Sequence, residues 1–220
     1  MDRIIAYDLD GTLYDSLDVM VTVIKSVFSD FGYTPPTKEA YRKFFQPHNW
    51  KQFYRDLGAK EKDVDGMIAA YVARFDSTEQ PHLIKGARRA LEKSEEAVGS
   101  KNIFFITNAP GALVKARLER DGLVHLIPNI RSPFEGKTNE LHEIAKNCKS
   151  LDYVGDVVWD GVDVLNVRTR GETNIRFFAI AHEYAFNTLE SLREFVDKHP
   201  EFANMLNGLD EIDRIWTPWS

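Results

Sequence analysis

The stretch Arg3-Ile4-Ile5-Ala6-Tyr7-Asp8-Leu9-Asp10-Gly11-Thr12-Leu13 decides the fold. Ile4, Ile5 and Ala6 make a short continuous apolar run, the pattern of a strand buried on both faces. The run stops abruptly at two carboxylates, Asp8 and Asp10, set two residues apart. Period-two geometry sends both side chains the same way where the strand gives way to a turn, and Gly11 permits backbone close to a bound group. One such carboxylate can act as a nucleophile while the other handles protons.

Similar apolar runs recur at 102–107, 151–155 and 175–181, with helical patterns at 86–97, 112–120, 138–147 and 161–170, the last stopped by Gly171. Strands alternating with helices imply right-handed crossovers and a parallel sheet covered on both faces, an α/β core in which ligands bind beyond the carboxyl ends of the strands. The polar clusters that follow the strands are therefore expected to meet in space. Residues 15–85 break the alternation. Leu17, Met20, Val21, Ile24, Val27, Phe28 and Phe31 form one helical apolar stripe ended by Gly32. Thr37 reads as the cap of the next helix, over 38–45, and further helices are expected at 49–57 and 63–75. This helical insertion of roughly 70 residues is the size of a small subdomain.

Hydrophobic residues make up 43% of the 220 and charged residues 28%, the composition of a folded globular chain. A net charge of −6 with no basic block is the reverse of a nucleic-acid binder, so an anionic ligand must be captured by a local constellation or a metal. The single cysteine, Cys148, excludes an internal disulfide and reads as a small buried filler. No apolar run approaches the roughly 20 residues a membrane helix needs. The residues after Met1 lack signal-peptide character, and a cytoplasmic location is expected.

Three further clusters follow strands. Thr107-Asn108, before Ala109-Pro110-Gly111, offers a hydroxyl, an amide and free N–H groups at a helix start, which suits a phosphate cradle and equally an ordinary cap. Glu135-Gly136-Lys137-Thr138 invites a nucleotide-binding P-loop reading. That motif needs Gly where Arg131 stands, and Pro133 removes an N–H, leaving Lys137 as a charge at a helix start that is either part of an anionic site or solvated. Gly155-Asp156-Val157-Val158-Trp159-Asp160 gathers more carboxylates, which would repel one another without a cation. Hard oxygen ligands favour magnesium over softer metals. Calcium-loop readings fail, because counting from Asp8 places Val19 where a bidentate Glu is needed, and counting from Asp152 places Val154 and Val157 where an acid and a Gly belong. A plain acidic turn remains open for either segment taken alone.

In order, Asp8 to Leu13, Thr107-Asn108, Lys137 and Gly155-Asp156 through Asp160 resemble the four motifs of the haloacid dehalogenase superfamily, over roughly residues 4–181. The insertion resembles the helical cap of its phosphoglycolate phosphatase-like and beta-phosphoglucomutase-like members. The resemblance implies a Rossmann-like core of residues 1–14 and 86–220 with a cap at 15–85. It implies a magnesium-dependent phosphatase for a small phosphorylated metabolite, acting through an aspartyl-phosphate on Asp8. Asp10 would protonate the leaving oxygen and then activate water. Asp8, the Asp10 carbonyl and Asp156 would hold Mg2+, with Asp160 orienting the metal shell and Thr12 in support. Thr107, Asn108 and Lys137 would bind the phosphoryl oxygens. An acid at Asp10 separates phosphatases from the dehalogenases.

The chain departs from the superfamily pattern at Thr138, where many relatives carry Pro, at Val157, Val158 and Trp159, and at His182-Glu183-Tyr184, where a glycine-rich loop is usual. A phosphate-binding regulatory protein without turnover and a phosphomutase are the alternative functions, and a monomer or homodimer is expected, with neither nucleic acid nor membrane as partner. The turn at 46–50, with His48, Asn49 and Trp50, is either the substrate-facing edge of the cap or a solvent-facing connection with Trp50 packed inside. The tail from residue 190 reads as helical through Phe195 and Phe202.

Overall fold

The apolar run at the head of the chain forms β1 (Arg3–Tyr7), and it becomes the centre of the sheet because every residue after Arg3 is buried. The computed structural model of the protein describes residues 3–46, 49–77, 80–133 and 136–216. After β1 the insertion supplies α1 (Leu17–Asp30), α2 (Lys38–Phe44), α3 (Trp50–Asp56) and α4 (Glu61–Ser77). The core resumes with α5 (Ala87–Val98), β2 (Ile103–Ile106), α6 (Gly111–Arg120), β3 (Ile130–Arg131), α7 (Thr138–Lys146), β4 (Ser150–Gly155) and α8 (Val158–Thr169). It ends with β5 (Ile175–Ile180), α9 (Leu189–Lys198), β6 (Ala203–Leu206) and a 3-10 segment at Leu209–Trp216.

All strand pairs are parallel, in the order β3-β2-β1-β4-β5-β6. The chain runs outward from β1 to one edge, then crosses back and runs outward to the other. The carboxyl end of β1 is thus where the order reverses and a crevice opens. Alternation along β1 divides the core. Ile5 and Tyr7 pack with α5, α6 and the 3-10 segment, while Ile4 and Ala6 pack with α7, α8 and α9. Among the described residues no helix is long and apolar enough to cross a membrane.

The insertion has its own core of Leu17, Ile24, Phe28, Tyr41, Phe53, Tyr54 and Met67, joined by Val157 and Phe186 of the sheet domain. It leaves and returns through two adjacent strands of chain. Tyr14 bridges Leu83, the Asp15 N–H donates to the His82 carbonyl at 2.9 Å, and the Ile84 N–H donates to the Leu13 carbonyl at 2.9 Å. Thr37 caps α2 by accepting from the Ala40 N–H, and Asn49 caps α3 by accepting from the Gln52 N–H, so the expected helix starts are built by side-chain acceptors.

Three features depart from the sequence reading. The sheet has six strands rather than four, because β3 is two residues long and β6 is a four-residue edge strand, both too brief for periodicity to reveal. Phe202 is not helical but sits in the turn that feeds β6, with its ring buried among α8, α9 and the sheet. Helix α8 begins at Val158, three residues ahead of the expected start, which puts Asp160 in its first turn.

The end of the described chain is fixed by charge. Asp152 on β4 is fully buried and accepts from Arg3 Nε at 2.8 Å and Arg176 Nε at 2.8 Å. Both guanidinium groups also donate to the Ile215 carbonyl, Arg176 at 2.9 Å. One carboxylate thereby ties the first strand, the fifth strand and the terminal segment together. Asp152→Ala leaves two arginines without their counter-charge, and we expect it to lower the unfolding free energy by about 3–5 kcal/mol, read from urea denaturation.

Candidate active site

Asp8 is the first residue beyond β1, Thr107 the first beyond β2 and Asp156 the first beyond β4, so three neighbouring strands deliver polar side chains to one crevice. Asp8, Asp156 and Asp160 are all buried and bring carboxylate oxygens within 4.8 Å of one another. Lys137, immediately before α7, reaches into the group, with its Nζ 2.7 Å from Asp8 Oδ1 and 2.7 Å from Asp160 Oδ1. Of the alternatives left open for Lys137, the solvated one does not hold.

Small residues make this crowding feasible. A Cβ at Gly155 would lie 2.2 Å from Asp160 Oδ2, and a Cβ at Gly11 would lie 2.4 Å from Asp156 Oδ2 and 2.3 Å from the Phe186 ring. Gly11 also adopts φ +83°, a conformation that side chains disfavour. Asp156 is oriented by two donors, the Thr12 hydroxyl at 2.8 Å and the Phe186 N–H at 2.6 Å. Asp160 accepts from the Tyr153 hydroxyl at 2.9 Å and from the Val157 N–H at 3.4 Å. The loop after β5, without the usual glycines, does its positioning with the Phe186 N–H and with Asn187, whose Oδ1 accepts from the Val158 N–H at 2.7 Å.

The electrostatics follow from the burial. Burial raises the Asp8 carboxyl to about 7, against the Lys137 ammonium, which pulls it down, while Asp160 adds to the rise. Burial, then Asp8 and Asp160, push Asp156 well above the usual carboxylate range. Burial works against the Lys137 ammonium, yet Asp160 and Asp8 outweigh it and raise its pKa above that of an ordinary lysine. Three carboxylates against one ammonium leave an excess of two negative charges when all are ionised. A hard divalent cation among these oxygens removes that excess, so the donor set suits such an ion in both charge and ligand type.

Asp10 is placed differently. Its carboxylate accepts from the Ser16 hydroxyl and from Arg117 Nη1 at 2.7 Å, outside the three-carboxylate group. Arg117 is buried on α6, and its Nε also donates to Gln80 Oε1 at 3.1 Å where the chain returns from the insertion. The motifs do not include Arg117. Its one sequence signal is a charge on the apolar stripe of Val114 and Leu118, which predicts burial without naming the partner.

A cavity of about 1240 Å³ joins these groups. Asp8, Asp10, Thr107, Asn108, Lys137 and Asp160 line its floor. Thr107 Oγ1 accepts from the Ala109 N–H at 3.1 Å, and the Asn108 amide donates to the Pro133 carbonyl at 3.0 Å. Thr12 and Asp156 stand behind the floor, fully buried. Trp159 lines the cavity. From the turn at 46–50, Asn49 and Trp50 reach the cavity, whereas His48 lies outside the described residues. The insertion is seated on the core by Arg42 Nη2, which donates to the Asn187 carbonyl at 3.1 Å, and by the Phe45 and Phe186 rings, 4.8 Å apart.

The sequence profile of the haloacid dehalogenase-like hydrolases matches residues 5–139. No curated protein matches the sequence. Solved structures with the same fold include a haloacid dehalogenase-like family hydrolase from Streptococcus pneumoniae, at 17% identity and TM-score 0.74, covering 99% of each chain. A predicted phosphatase from Clostridium acetobutylicum superposes at 20% identity and TM-score 0.73, over 97% of each chain. A predicted phosphoglycolate phosphatase from Haemophilus somnus does so at 15% identity and TM-score 0.71, over 98% of each chain.

Because the Gly155 hydrogen faces Asp160, Gly155→Ala must displace a buried carboxylate. We expect a loss of about 1–3 kcal/mol in unfolding free energy, measured by thermal or denaturant melting, with the fold retained.

Proposed function

The chain belongs to the haloacid dehalogenase-like hydrolase family, and we propose that it is a magnesium-dependent phosphatase that hydrolyses a small phosphorylated metabolite through an aspartyl-phosphate on Asp8. The observation that carries this reading is the packing of Asp8, Asp160 and Lys137 at the floor of a cavity large enough for a metabolite, with Asp156 against them from behind.

Asp8 is the nucleophile. A carboxylate oxygen forms a bond to phosphorus as the bond to the leaving oxygen breaks on the opposite side, and in the second half water displaces Asp8. Asp10 donates a proton to the leaving oxygen and later takes one from the attacking water. Its ion pair with Arg117 orients the carboxyl for both tasks. Lys137, Thr107 and Asn108 meet the phosphoryl oxygens, Lys137 with a charge that the two flanking carboxylates keep in place. Asp8, the Asp10 carbonyl and Asp156 would hold Mg2+, with Asp160 beside them, and the cation would supply charge neutralisation for the phosphoryl group. The helical cap of residues 15–85 covers the reacting centre and limits water.

Purified protein is expected to release phosphate from para-nitrophenyl phosphate only with Mg2+ and to lose that release in Asp8→Asn. Saturating Mg2+ should raise the melting temperature of the wild type, by the equivalent of about 2.7 kcal/mol at one hundred times its Kd, and should not do so in Asp156→Asn. Metal-independent turnover, or turnover that survives Asp8→Asn, would sink the proposal.

Arg117→Leu separates the proton-handling role from general damage. The variant is expected to lose about 10–100-fold in kcat on an alkyl phosphate, whose alkoxide must be protonated. It should lose much less on para-nitrophenyl phosphate, whose leaving group departs as an anion. Equal losses on the two esters would remove Arg117 and Asp10 from the proton path.

A further inference from the structure

Above the charged floor the cavity changes character. The cap presents Phe45, Trp50, Ile68, Tyr71 and Phe75, and the core closes one side with Phe186. Trp50 lies 5.3 Å from Tyr71 and 6.1 Å edge-on from Phe45, ring to ring. The one cation that the cap contributes among the described lining residues is Lys51, and its Nζ is 2.8 Å from Asp65. A second anionic group on the substrate, such as a carboxylate or another phosphate, would find no free counter-charge there. Several sugar hydroxyls would likewise lose water without replacement partners.

Behind these rings the hydroxyls of Tyr41, Tyr54 and Tyr71 are buried out of contact with the cavity space, and those of Tyr41 and Tyr71 interact with each other.

We infer that the leaving group of the substrate is an uncharged aromatic alcohol, its ring held among Phe45, Trp50 and Phe186. This deepens the phosphatase reading and rests on it. Aromatic walls hold a flat ring by offset and edge-on contacts.

The test uses alkyl esters, so that the leaving alkoxides are alike and differences arise in the cavity. With Mg2+, 2-phenylethyl phosphate is expected to exceed ethyl phosphate, phosphoglycolate and glucose 1-phosphate in kcat/KM by about tenfold or more, chiefly through KM. Calorimetry provides a readout without turnover, in which 3-phenylpropylphosphonate binds the magnesium-loaded protein about tenfold tighter than ethylphosphonate. If phosphoglycolate or glucose 1-phosphate is best, or the two phosphonates bind alike, the inference is overturned while the phosphatase reading stands. If the phosphonates discriminate but no ester is turned over, the pocket assignment holds and the phosphatase reading falls.

Discussion

The repulsion among Asp8, Asp156 and Asp160 is the constraint around which the sheet domain is arranged. Charges of one sign within a few ångströms in a dry interior cost many times what they would in water, so the protein must oppose that cost at every point. It does so with the Lys137 ammonium, with the Thr12 and Tyr153 hydroxyls and with the Phe186 N–H, each aimed at a carboxylate oxygen. Two glycines remove side chains where carbon atoms would otherwise occupy the space. A folded state that accepts so much local electrostatic cost is one in which a cation or a phosphoryl group has large energetic leverage.

Much of this was readable from the chain because the topology imposes a simple rule. In a parallel sheet, an apolar run followed by acidic or hydroxyl residues points those residues into the crevice, and Asp8, Thr107 and Asp156 each obey it. Asp160 and Lys137 follow because the helices that carry them start at the same edge. What escaped the sequence shares a different physics. The Phe186 contribution is a backbone N–H, which any residue but proline provides. Arg117 reveals its burial through the helical stripe but finds its partner 107 positions away in the chain. β3 and β6 are stabilised by neighbours already in place rather than by a pattern of their own.

The cap adds a second kind of surface to the same cavity. The floor is organised by charge and hydrogen bonds, whose directions are fixed, whereas the cap offers rings and aliphatic side chains, whose contacts depend on shape. Such a division lets one chemistry serve different ligands through changes confined to the insertion. The departures from the superfamily pattern at Val157 and Trp159 fit that separation, since both residues touch the cap's core and line the cavity and replace none of the groups that meet the carboxylates through side chains.

Asp10 is bonded to Ser16 on the outgoing connection of the insertion and, through Arg117, to Gln80 on the returning one. A rotation about these two connections that moves Ser16 or Gln80 also disturbs the setting of the Asp10 carboxyl. If Asp10 handles protons as proposed, admitting solvent and disarming the acid are then coupled, and the free energy that favours either one favours the other to the same degree.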